Sequence, residues 1–410
     1  MIANRTTDVV VIGAGPAGAI AACLLRQQGH QGVVLEKSTF PRFVIGESLL
    51  PQCLQTLKAA GCLEAVNAAG FQRKVGANFQ HRGHYEQINF ADKFAAGPSH
   101  AFHVLRSEFD DILAQCAVQA GATVEFNATV TAAKNQFNDC LVAYTDADGN
   151  SGEVRAKFIL DASGYGRVLP RLLDIDQPSS LEPKASFFTH VDDGILPEDH
   201  QRDATLITTH PKHRNVWYWL ISFASGRSSV GVVGPPELIE PYQGEGMAGL
   251  KKIIHEDPEL AHILRHAEFD SQAHQINAYS GNVTQFCGDG YAVLGNAGEF
   301  LDPIFSSGVT VAMKSAHLAT TVLDKQLNNE PHDWEQGFVE PLKMGIETFK
   351  TFVTHWYSGG FQDVIYSPAS NQNVKAKIAS ILAGYAWDTD NPYVLNPEDR
   401  LQTLIEICQQ

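Results

Sequence analysis

Residues 13–18 read Gly-Ala-Gly-Pro-Ala-Gly, a GxGxxG whose residue types and spacing could do chemistry. It lies between a β-branched stretch, Asp8-Val9-Val10-Val11-Ile12, and a helix-like AIAACLLRQQG that ends at Gly29. In such a turn Gly13 allows the tight bend, Gly15 lets the backbone approach a pyrophosphate, and Gly18 permits close helix–strand packing. The helix start, at Ala17 and Gly18, adds free N–H groups and the positive end of a dipole. A second strand, Gly32-Val33-Val34-Leu35, leads into Glu36 and Lys37, and Glu36 stands where an acid accepts hydrogen bonds from a ribose. Two more apolar stretches run into small-residue turns: Phe158–Gly164, around Asp161, and Tyr291–Gly298, around Asn296. Such turns bring backbone amides close to a ligand. Three of them in one chain suit a long cofactor, and FAD is favoured over NAD. A different kind of chemistry is suggested by Trp217-Tyr218-Trp219-Leu220-Ile221. On a strand, residues i and i+2 face the same way, so the two indoles and Ile221 share a face. That face reads either as the core of a sheet packed on both sides or as the wall of a reaction chamber.

The elements that must position these groups follow from the patterning. Pro51–Ala60 reads as a helix stopped by Gly61. Ser107 and Asp110 read as the start of a helix reaching about Gln119. Residues 122–161 carry short strands with a hairpin turn at Asp148-Gly149. A second strand-rich block follows at 185–234 (KASFFTHV, ATLITT, NVWYWLISF, SSVGVVG), interrupted by the loop HPKHRN. Ser306–Leu323 reads as a helix, and 332–410 as mostly helical with a break at Ser358-Gly359-Gly360. The expected fold is α/β: a Rossmann-like FAD-binding domain with an inserted, mainly antiparallel β-sheet substrate domain and a helical C-terminal part. The expected boundaries are 1–75, 100–175 and 280–330 for the FAD-binding domain, 76–99 and 176–279 for the substrate-side sheet, and 331–410 for the helical region.

Composition excludes several classes. With 30 Lys plus Arg against 46 Asp plus Glu, the net charge of −16 argues against nucleic acid or an anionic membrane as main partner. The seven cysteines are widely spaced with no CxxC, which suits free thiols in a cytoplasmic, reducing compartment. The histidines show no metal-ligand spacing, so no metal is expected. The apolar run Val9–Leu25 is broken by glycines and has only Arg5 before it, unlike a secretory signal. No segment reads as a membrane span.

GxGxxG at 13–18, PRFxIGESLLP at 41–51, WxWxI at 217–221 and Phe300-x-x-Pro303-x-x-Ser306-x-Gly308 together resemble the flavin-dependent halogenases, in the branch acting on phenols and pyrroles, including carrier-protein-tethered ones. The resemblance covers most of the chain. It implies that a separate flavin reductase supplies reduced FAD, and that reaction with oxygen and chloride or bromide yields hypohalous acid. That oxidant would travel inside the protein to Lys74, beside a small aromatic substrate: a phenol, pyrrole or indole, free or on an acyl or peptidyl carrier protein. Trp217 and Trp219 would stand between flavin and substrate. Ser307 and Gly308 would offer backbone amides to the halide, as a helix start can. Gly46, Glu47, Ser48, Arg106 and Pro303 would contact the cofactor, with Asp161 and Asn296 in the other two turns. A buried ammonium could hold and orient the oxidant, and a desolvated lysine shifts its pKa readily enough to serve as amine or ammonium.

Two positions depart from the family. Ser222 stands where the frame has Pro, which loosens that turn. Asn296 stands where related flavoproteins carry Asp, although Asn keeps an acceptor oxygen. The same scaffold also hosts flavin hydroxylases and polyene-type reductases, and a non-catalytic flavin-binding redox store is a further alternative. An acidic carrier protein would require a basic surface, for which Arg155, Lys157, Arg167 and Arg171, or Lys212, His213 and Arg214, are candidates.

Overall fold

The computed structural model describes residues 5–367 and 372–409. Residues 1–4, 368–371 and 410, which fall within the expected first and last units, lie outside the described residues.

The β-branched stretches near the N-terminus form the centre of a six-stranded sheet. Its order is Cys287–Gly288, Tyr291–Val293, Phe158–Asp161, Val9–Ile12, Gly32–Leu35, Thr123–Glu125, parallel except at the first pair. Val9, Val10 and Val11 are fully buried because both faces of the sheet are covered: Val9 and Val11 pack on helices, and Val10 packs on a second, four-stranded sheet. The helix Pro16–Gln27 crosses from Val9–Ile12 to Gly32–Leu35 and packs on the long helix Ser307–Leu327. A four-stranded sheet (Arg5–Thr6, Ser151–Ala156, Cys140–Thr145, Thr129–Lys134) lies alongside. Its hairpin turns at Asp148-Gly149, where Gly149 has positive φ and the Asp146 carboxylate accepts from the amides of Asp148 and Asn150.

The second block is a seven-stranded sheet ordered His274–Asn277, Ala185–Asp192, Arg227–Gly234, Trp217–Ser222, Ala204–Thr209, Gly76–His81, His84–Asn89. Only the pair Ala204–Thr209 with Gly76–His81 is parallel. One face, through Tyr218 and Leu220, packs on helices at Pro236–Gln243, Met247–Ile254 and Pro258–Ile263. These helices are absent from the sequence expectation for the block, although the apolar spacing of MAGLKKII and the N-cap Asp257 were available to show two of them. The other face, through Trp217, Trp219 and Ile221, joins the core shared with the FAD-type sheet.

The helix after strand Ala101–His103 starts at Arg106, with no side-chain cap. Asp110 does not cap its start; its carboxylate takes both Nε and Nη2 of Arg106. C-terminal helices Glu340–Tyr357, Gly360–Tyr366, Gln372–Leu382 and Pro397–Cys408 close the fold, with Gly359 at positive φ between the first two. Among the described residues no helix is long and apolar enough to cross a membrane.

Candidate active site

A cavity of about 490 Å³ opens between the two sheets. The turn after Val9–Ile12 forms one end, and its three glycines are used differently. Gly13 has φ +95°, and a Cβ there would lie 2.7 Å from the Ala162 carbonyl oxygen. A Cβ at Gly18 would collide with the Gly13 carbonyl. A Cβ at Gly15 would meet only the end of Arg42, at 3.6 Å, and would otherwise project into the cavity. Gly15 is therefore free of any packing constraint from the protein itself, and its missing side chain leaves room where a pyrophosphate would lie. Glu36 lines the same end; its carboxylate accepts from the amides of Ala14 (2.8 Å) and Ser38 (2.9 Å), which fix it while leaving lone pairs for a ribose. Lys37 and Ala17 are also on the wall.

Further along, Ile45–Ser48 form the wall, with Gly46 at φ +107°. Arg106 is buried, doubly bonded to Asp110, and donates through Nη1 to the carbonyls of Ile45 and Gly46. It thus shapes the 45–48 loop as well as facing the cavity. Glu47 is 1% exposed with His190 Nε2 2.8 Å from its Oε1. Asn296, Pro303 and Gly308 complete the far side. The helix Ser307–Leu327 starts there with no side-chain cap, after Ser306 in the left-handed region (φ 57°). Its first-turn amides and positive end are available to an anion. These features fit FAD with a halide beside it.

Some expected residues lie off this wall. Asp161 is buried, with both carboxylate oxygens occupied by the backbone amides of Ser163 and Leu169. It builds the Ala162–Gly166 turn that faces the cavity. Gly18 and Ser307 are likewise buried outside the wall.

The tryptophans face the cavity with Ile207 and Ile221. Trp219 Nε1 donates to Ser229 Oγ (3.0 Å), and its ring lies opposite Gly231, where a Cβ would strike both the indole and Phe188. Trp217 Nε1 donates to Tyr357 Oη (2.9 Å), which in turn donates to Asp302 Oδ2 (2.8 Å). Burial pushes the Asp302 carboxyl up to about 6. The cavity wall at these indoles is thus also core of the sheet.

Lys74 is 1% exposed and lies just behind this wall. Its Nζ donates to Ser48 Oγ at 2.7 Å, and Ser48 is on the wall. Phe90 presents its ring 5.4 Å away. No ion pair to Lys74 forms among the described residues, and burial pushes its ammonium down to about 7. Ser222 is fully buried; its carbonyl accepts from His103 Nδ1 (3.0 Å) and its hydroxyl meets Ser228 Oγ (3.1 Å). A proline would present the same carbonyl, so this departure leaves that contact available.

Arg42, Tyr165, Tyr279 and Asp302 were not singled out from the sequence. Arg42 joins Asp110 (3.2 Å) and stands over Phe40 (4.5 Å), while Tyr165 and Tyr279 pack edge-on against Phe300 at 5.3 and 5.6 Å. Arg42 and Asp302 lie inside the motifs at 41–51 and 300–308 and were within reach; the tyrosines stand beside glycines or in irregular segments with no periodic mark.

Residues 6–330 match the family model described as FAD binding domain. Among solved structures, the chain is similar to a flavoprotein/dehydrogenase of Cytophaga hutchinsonii, 40% identical over 99% of both chains, with a TM-score of 0.95. It is also similar to a structure of a flavin-dependent brominase, 26% identical over 98% of this chain and 99% of that one, with a TM-score of 0.83. A 1H-pyrrole-2-carbonyl peptidyl-carrier-protein brominase of Pseudoalteromonas luteoviolacea is 29% identical over 343 residues, 82% of this chain and 80% of the relative. The chain belongs to the FAD-binding domain family, and it is similar to flavin-dependent halogenases at 26–29% identity.

Proposed function

We propose that the protein halogenates an electron-rich aromatic ring at Lys74, using hypohalous acid made at the cavity. The observation that carries this reading is a buried, unpaired lysine held at the back of a wall built from Trp217, Trp219 and Ser48. Bound in reduced form, FAD supplies with oxygen the two-electron oxidation that turns chloride or bromide into hypohalous acid. Gly13, Gly15, Ala17, Glu36, Lys37, Arg106, Asn296 and Pro303 would hold the cofactor, with Gly18 and Asp161 shaping its turns. The amide at Gly308, in the first turn of the helix that opens at the buried Ser307, would hold the halide. Trp217 and Trp219 keep the ring away from the flavin, which disfavours direct hydroxylation. At Lys74 the amino group hydrogen-bonds the oxidant's oxygen. The ring carbon attacks the halogen, the O–X bond breaks, and the ring proton and hydroxide leave as water.

The pyrrole-carrier-protein relative supports a ring carried on a peptidyl carrier, and a separate reductase would supply reduced FAD. The widely spaced cysteines, with no CxxC pair, suit a cytoplasmic setting. The domain boundaries 1–75, 100–175 and 280–330, 76–99 and 176–279, and 331–410 remain our division of the chain.

The test combines protein, a flavin reductase, NADH, oxygen and each halide with an aromatic panel, followed by mass spectrometry. A halogenated product that disappears in Lys74→Ala, while flavin oxidation continues, is the expected outcome. The similarity to a flavoprotein/dehydrogenase favours a second reading, a reductase on the same scaffold; a reduced product formed without halide would establish that one instead.

A further inference from the structure

Behind Ser48 runs a chain of hydrogen bonds that the proposed reaction does not yet use. Lys74 Nζ is 2.7 Å from Ser48 Oγ, Ser48 Oγ is 2.9 Å from Thr205 Oγ1, and Thr205 Oγ1 is 2.9 Å from His103 Nε2. His103 Nδ1 then lies 3.0 Å from the Ser222 carbonyl oxygen. Ser48, Thr205, His103 and Lys74 are all buried. They come from four places in the chain: the 45–48 loop and the strands Ala204–Thr209, Ala101–His103 and Gln72–Lys74.

The direction of every bond follows from one group. A carbonyl oxygen can only accept, so His103 Nδ1 carries a proton. A neutral imidazole then has a bare Nε2, which accepts from Thr205. The single hydroxyl proton of Thr205 is thereby spent, so Thr205 accepts from Ser48. The single proton of Ser48 is spent in turn, so Ser48 accepts from Lys74. We propose that His103 is a positioning residue for Lys74, acting through Thr205 and Ser48 to make Ser48 an obligatory hydrogen-bond acceptor. The proposal rests on the role given to Lys74 above.

The polarity has a chemical consequence. A hydroxyl that can only accept favours the ammonium form of Lys74; one free to turn could donate to the amine lone pair and favour the neutral form. The relay therefore opposes burial, which pulls the lysine toward the amine. The surrounding groups leave this balance undisturbed. Cys53, from the helix Cys53–Ala59, is held protonated by burial. His103 lies well below the usual imidazole range because it is buried and because Lys74 stands near. The other charged groups beside His103 are His200, which burial and Arg202 push down to about 4, and Arg202, which is paired with Asp193.

Two measurements test the proposal. Histidine-selective 15N NMR of the FAD-loaded protein, with the His103 signals identified by their loss in His103→Gln, should show a neutral Nδ1–H tautomer from pH 6 to 8. An Nε2–H tautomer, or an imidazolium in that range, would overturn it. The pH dependence of trace acetylation at Lys74, read by peptide mass spectrometry, should move to lower pH in Thr205→Val by about half to one unit. The Lys74-dependent limb of the halogenation pH profile should move the same way. His103→Leu should repeat the shift, and His103→Gln, whose amide oxygen can accept from Thr205, should restore the wild-type position. An unmoved limb in both Thr205→Val and His103→Leu would overturn the relay in an enzyme that halogenates. Acetylation and tautomer need neither halide nor substrate. A protein that gives the expected values yet halogenates nothing would refute the assigned reaction while leaving the relay standing.

Discussion

A lysine in a dry interior is held there against its own hydration. At Lys74 the ammonium titrates near 7 in the native state but near 10.5 in the unfolded chain. The unfolded state thus binds a proton that the native state has released between these values, and native stability rises with pH across that window. Below about pH 7 the buried ammonium costs stability on the order of several kcal/mol. Lys74→Met, similar in length and free of charge, should therefore raise the urea midpoint at pH 6, and the gain should shrink as pH approaches 10. A variant less stable than wild type at pH 6, or a gain that does not narrow, would show that the lysine is hydrated or paired. Nothing around Lys74 in the sequence marks this state: Arg73 beside it is exposed, and the motif match alone singles out one from the other.

At the scale of elements, the glycine turn separates binding from folding. Gly15→Ala adds a methyl that the protein can accommodate but a pyrophosphate could not. It should leave the thermal midpoint of the FAD-free protein within a few degrees of wild type and weaken FAD binding by about tenfold or more. Gly18→Ala drives a methyl into the Gly13 carbonyl and should destabilise the FAD-free protein by about 1–3 kcal/mol. FAD titration and thermal melts of both variants distinguish the cases; equal loss of stability would remove the assignment of Gly15 to the cofactor. The GxGxxG spacing was legible because the bend at Gly13, the opening at Gly15 and the Gly13–Gly18 contact are local to one turn, whereas the Ala162 carbonyl against Gly13 comes from another strand. The shared face of Trp217 and Trp219 was legible for the same reason, since the strand repeat is two residues. The need for Gly231 was not, because the indole it accommodates belongs to the neighbouring strand and only the register brings them together.

At the scale of the whole molecule, charges that look free along the chain turn out to be fastenings. Arg214 donates to Asp363 Oδ1 (2.6 Å), to the Gly359 carbonyl (3.0 Å) and to Gln362 Oε1 (3.2 Å). It ties the second block to the helix Gly360–Tyr366. Arg167 is buried against Asp176 and the carbonyls of Asn296 and Gly298, and Lys157 pairs with Asp8. Arg214→Glu should therefore speed amide exchange within 360–366 by about tenfold, through local opening. Unchanged exchange there would return Arg214 to the list of possible carrier contacts.

The sequence by itself determined the turns, the strand faces, the order of the two sheet-forming blocks and the family, because each depends on residues close together in the chain or on motifs in fixed order. Only the tertiary structure decided that Lys74 is dry, that Ser48, Thr205 and His103 stand in line behind it, that Asp161 serves the backbone, and that Arg214 is spent on a helix. Those properties depend on exclusion of water and on partners brought from distant segments, and neither is written in any local pattern.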